Sequence, residues 1–146
     1  EPGCRPEVVM RPVVSILLGP EGLWIAISLV VYFVAAGNEP STPAGNEFLE
    51  TLWLAIPLAG IPLTFLTAYL PGGGGWCWLL RVVVVSSVGV LVASFVAANG
   101  VDYHDSRNSG LLGAPAYSLS IGLLLLVPLT IVAAVLVWKR NRARTR

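Results

Sequence analysis

Residues 76–98 read WCWLLRVVVVSSVGVLVASFVAA, from Trp76 to Ala98, with Arg81 the one charge in the run. As a helix rising ~1.5 Å per residue this stretch extends ~35 Å, enough to cross a ~30 Å hydrocarbon layer. Three further apolar stretches of similar length accompany it, at Val13–Ala36, Phe48–Leu70 and Pro115–Trp138. Short polar turns separate them. The reading is an all-α membrane protein, an antiparallel four-transmembrane-helix bundle, with room for an N-terminal interfacial helix.

Composition agrees. Of the 146 residues 55% are hydrophobic and only 12% charged, against about 25% charged in a soluble domain. Mean hydropathy is +0.78. Charge is also segregated: between Phe48 and Ala98 only Glu50 and Arg81 carry any. One integral membrane domain over residues 1–146 is expected, with no soluble domain and no cleavable signal pattern before Val13.

The cations set an orientation. Arg5, Arg11, Arg81 and the tail Lys139, Arg140, Arg142, Arg144 and Arg146 fall on one predicted side, and only Arg107 on the other. Eight against one is a strong positive-inside signal. Both termini are expected in the cytoplasm, and the loops 37–47 and 99–113 outside. The tail is a topology anchor that also attracts anionic lipid head groups, rather than a nucleic-acid site.

Local signals refine the helices. Gly19-Pro20-Glu21-Gly22 interrupts the first stretch. Proline suits a first helical turn, and Glu21 there complements the positive end of the helix dipole. The span is therefore expected over 20–36 rather than as one kinked helix over 13–36, with 8–18 a separate interfacial or re-entrant segment. Pro57 and Pro62 bend the second span. In lipid the carbonyls they free need other donors, and Thr64 and Thr67 are available. Pro71 and Gly72–Gly75 form a turn so short that the spans flanking it are antiparallel neighbours.

Gly89, Ala93 and Ala97 recur every four residues, a small-residue stripe that lets another helix approach closely. Ala55 and Ala59, with Ser118 and Gly122, are candidate facing surfaces. The stripe serves packing within the bundle or against another copy or subunit. Trp24, Trp53, Trp76, Trp78 and Trp138 mostly fall near the expected interfaces, as an aromatic belt.

Chemistry is sparse. Cys4 and Cys77 form no close pair, so there is no disulfide framework, redox motif or zinc site. The glycine run 72–75 lacks the Lys-Ser/Thr of a phosphate loop. The lone histidine lies in Asp102-Tyr103-His104-Asp105. Asp102, His104 and Asp105 could hold a divalent cation weakly with help from other loops, although a solvated turn is the default. Ionisable groups at depth are the usual functional candidates in membranes. Here the polar groups available to a pathway are Glu21, Glu50, Ser86, Ser87, Ser94 and Asn99. No catalytic constellation and no cofactor are expected; a bound lipid fits the composition.

These observations favour a non-catalytic accessory or assembly subunit of a larger membrane complex. A small homo-oligomeric channel or transporter for a solute or ion is the alternative. The expected partners are the lipid bilayer, with other membrane subunits or further copies of the chain. The Ala/Val/Gly/Arg-rich composition, with a single lysine, points to a bacterial plasma membrane.

Overall fold

The computed structural model describes residues 12–38, 42–70, 74–99 and 106–144, the side chains of 12, 13, 106–112, 114 and 144 excepted. Among the described residues five helices follow one another: α1 Pro12–Leu17, α2 Pro20–Ala36, α3 Pro43–Leu66, α4 Trp76–Ala98 and α5 Ser106–Arg144. A short 3-10 turn, Thr67–Tyr69, closes α3. Among the described residues there is no strand.

Among the described residues three stretches are long and apolar enough to cross a membrane: Pro43–Tyr69, Trp76–Ala98 and Pro115–Ala143. The fourth apolar helix, α2, has 17 residues. It is short because Gly19 and Pro20 divide it from α1. Pro20 occupies the first turn, where its missing N–H leaves no helical bond unmade, and Glu21 follows it.

Contacts at the helix ends fix an alternating up-down course. The indole Nε1 of Trp78, at the start of α4, donates to the hydroxyl of Thr67, just past α3, at 2.9 Å. Arg81 of α4 reaches Glu21, at the start of α2. At the opposite end Asn38, after α2, donates to the carbonyl of Gly45, early in α3, at 3.0 Å. So α2 and α4 run parallel, and α3 runs against both. Thr42 caps α3 by accepting from the Gly45 N–H at 3.1 Å, a device worth about 1 kcal/mol.

α4 is the central helix, packed against α5, α2 and α3, whereas α2 and α3 touch little. Its buried face, Val82, Ser86, Val90, Ala93 and Ala97, repeats every three to four residues. Ile56 and Ile61 of α3, Leu126 of α5, and Trp24 and Val31 of α2 complete this core. A second cluster at the Thr67 end joins Trp78, Leu79 and Val82 to Phe65, whose ring meets Trp78 edge-on at 6.2 Å.

Two features differ from the sequence expectation. Pro57 cannot donate to the Trp53 carbonyl, and the hydroxyl that does so belongs to Ser118 of α5, at 3.1 Å. Thr64 and Thr67 instead bond within their own segment, to the carbonyls of Gly60 and Thr64. And α5 begins at Ser106, well before the apolar stretch, and passes through Pro115 without ending. It also runs on through the basic tail, where the guanidinium of Arg142 lies 4.1 Å from the ring centre of Trp138, one turn earlier.

Candidate functional site along the α2–α4 seam

Glu21 and Arg81, expected as a pathway acid and a topology cation, meet. Arg81 Nε donates to Glu21 Oε1 at 2.8 Å, and Nη2 to Oε2 at 2.6 Å. This fork-to-fork geometry is the strong form of the arginine–carboxylate pair. Nη2 also points to the carbonyl of Ser15 on α1, at 3.5 Å. The helix break makes this possible by bringing α1 back under the guanidinium. A Cβ at position 19 would sit 2.7 Å from Arg81 Nη2 and 2.8 Å from both Glu21 Oε2 and the Ser15 carbonyl. Gly19 is thus the residue that admits the ion pair. The pair is about one-third exposed on each side.

One turn deeper, Trp24 is buried, 3% exposed, and is a core residue rather than part of an interfacial belt. Its ring lies between Gly60 of α3 and Gly89 of α4. A Cβ on Gly60 would approach the ring to 2.6 Å, and one on Gly89 would collide with it. The α4 small-residue stripe is thereby spent inside the molecule: Gly89 takes the indole, and Ala93 and Ala97 are wholly buried.

Outside Trp24, α2 and α4 diverge. Between them runs a groove of about 660 Å³, with Glu21 at one end. Ile25, Leu29 and Tyr32 of α2 form one wall, and Val84, Val88 and Val92 of α4 the other. Both walls have helical spacing, so each begins one turn from a member of the ion pair. A smaller recess of about 280 Å³ continues past Tyr32 to Phe95 and Asn99.

The other pathway candidates scatter. Ser86 and Ser94 are fully buried and make no hydrogen bond among the described residues. Ser87 returns its hydroxyl to the Val83 carbonyl of its own helix at 2.9 Å. Glu50 is exposed near the far end of α3, and Asn99 is exposed beyond α4. They form no continuous polar line. Lys139, Arg140 and Arg142 are exposed on the last turns of α5, which reaches Arg144; Arg146 lies outside the described residues. Asp102, His104 and Asp105 do too, as does Cys4. Among the described residues no three His, Cys, Asp or Glu side chains gather as for a metal, and Cys77 is a free, exposed thiol.

The stripe Gly89, Ala93, Ala97 has a counterpart on α3 that includes Ala55 and Ala59, candidate facing surfaces by sequence. Thr51, Ala55 and Ala59 of α3 also recur every four residues, and all three are exposed, with Leu58, Pro62 and Leu63 beside them. The ion pair could have been sought from sequence. Glu21 and Arg81 are an acid and a base placed just inside the same predicted face of the membrane, where each needs a partner.

Comparison with protein-family models, curated proteins and solved structures finds no match to this chain.

Proposed function

We propose that this chain spans the bilayer four times, with both ends in the cytoplasm, and acts as a non-catalytic accessory or assembly subunit of a larger membrane complex. At 17 residues, α2 lies at the short end of the spanning range, and the Glu21–Arg81 pair stands where that helix starts. The cation asymmetry supports the orientation. Composition supports a bacterial plasma membrane.

The observation that carries the subunit reading is the outer face of α3. Packing inside the bundle leaves Thr51, Ala55 and Ala59 uncovered. A lipid-facing surface gains nothing from small side chains, whereas a helix-facing one gains close backbone approach and van der Waals contact. The partner is a transmembrane helix of another chain.

The alternative is a homo-oligomeric channel or transporter. It has less support, because Glu21 is engaged by Arg81 and Ser86 and Ser94 are wholly buried. Gentle extraction from the native membrane followed by native mass spectrometry separates the two. The subunit reading predicts stoichiometric recovery with larger, different chains. Recovery only as a monomer or homo-oligomer would overturn it and move the weight to transport, to be measured as flux in liposomes.

A further inference from the structure

The α2–α4 seam has a surface chemistry that the subunit reading does not use. We propose that it holds one glycerophospholipid, with the phosphate at Arg81 and an acyl chain in the groove. The inference rests on the chain lying in a bilayer and is independent of any partner subunit.

Three observations converge on this occupant. First, Arg81 spends Nε and Nη2 on Glu21 and Ser15, and among the described residues Nη1 makes no hydrogen bond. Its two N–H groups remain to be satisfied, on a side chain that is 35% exposed. At the edge of the hydrocarbon layer the acceptors are water and lipid phosphate, and of these the phosphate pairs with a guanidinium through charge-assisted bonds. Secondly, the groove starts at Glu21, the carboxylate that holds Arg81, and is almost wholly apolar from there on, with Ile25 and Leu29 facing Val84, Val88 and Val92. Thirdly, its length suits one leaflet. From Glu21 to Tyr32 the wall rises ~16 Å, about half of a ~30 Å hydrocarbon core, the depth one acyl chain occupies. Beyond Tyr32 the seam continues only as the smaller recess of about 280 Å³.

The head-group end also explains why the ion pair is left about one-third exposed. Glu21 alone neutralises Arg81, yet the carboxylate takes two of the five guanidinium donors. A phosphate docked on Nη1 completes the set without breaking the pair.

The test uses the full chain reconstituted in vesicles of phosphatidylethanolamine and phosphatidylglycerol, extracted in mild detergent and weighed by native mass spectrometry. The wild type is expected to retain one phospholipid per chain. Val88→Trp, or Val92→Trp should the first variant fail to fold, fills the groove and lowers retention at least tenfold. Leu124→Trp, on the exposed face of α5, leaves it unchanged. Equal retention by all these variants overturns the proposal, and so does a polypeptide, including a second copy, found in place of lipid and displaced by the groove-filling variants. A second arm replaces the phospholipids by diacylglycerol, which has the chains but no phosphate. The wild type is expected to prefer phospholipid about tenfold, and the double variant E21Q/R81Q, which leaves no unpaired charge, is expected to lose that preference. An unchanged preference would overturn the assignment of the phosphate to Arg81.

Discussion

Two rows of small residues at the same four-residue spacing meet opposite fates in this molecule. On α4, Gly89, Ala93 and Ala97 are buried, and the first of them accommodates the Trp24 ring. On α3, Thr51, Ala55 and Ala59 face outward, and none of the described residues buries them. Spacing therefore announces that a helix can come close. Which helix comes is decided by the partner's side chain, here an indole arriving from α2 some sixty-five residues away in sequence. Under the proposed function the α4 row governs folding and the α3 row association, and each can be attacked separately.

The largest effect is expected at the buried row. Gly89→Leu has no room beside Trp24, and overpacking of this kind costs about 1–3 kcal/mol or more. Loss of the monodisperse folded species in detergent is the expected result. Trp24→Ala should cost about 3–5 kcal/mol through the cavity it leaves, measured by denaturant titration. Combining Gly89→Ala with Trp24→Leu should cost clearly less than the sum of the two changes, because they act on one contact. Simple additivity would show that the indole and Gly89 are not coupled.

The ion pair comes next. Glu21→Gln leaves Arg81 charged beside a neutral amide. A fully buried pair broken this way costs about 3–5 kcal/mol; with the two side chains 35% and 28% exposed, about 1–2 kcal/mol is expected. E21Q/R81Q should recover most of that loss in the same titration, and a double variant no more stable than E21Q would place the strain elsewhere.

A smaller change, about 1 kcal/mol, is expected for Trp78→Phe. It keeps the edge-on contact with Phe65 but removes the hydrogen bond to Thr67 that ties α4 to the end of α3. The exposed row should matter least to the fold: Ala55→Leu and Ala59→Leu are each expected to stay within about 0.5 kcal/mol of the parent.

What was legible in the sequence followed from local chemistry. The helical and apolar character, the break at Gly19-Pro20 and the bounds of Trp76–Ala98 rest on hydropathy and on proline and glycine, which act over a few residues. What escaped depended on meetings between distant positions. Local sequence groups Trp24 with four other tryptophans as interfacial residues, because nothing beside it announces Gly60 and Gly89. It points to neighbouring threonines as donors to the carbonyl freed by Pro57, and Ser118, on another helix, is the donor. Ala55 and Ala59 carry the same signature as the α4 row, so periodicity alone could not assign one inward and the other outward. The ion pair left a trace, an acid and a base at one predicted level, but its forked geometry required the α1 turn beneath it.

The claim that the α3 row is a docking face is tested most directly by the mass of the extracted particle. The A55L/A59L variant, expressed in the native membrane and extracted gently beside the parent, should yield the folded chain stripped of its companion chains, at unchanged stability. Recovery of the full particle by the double variant would contradict the account.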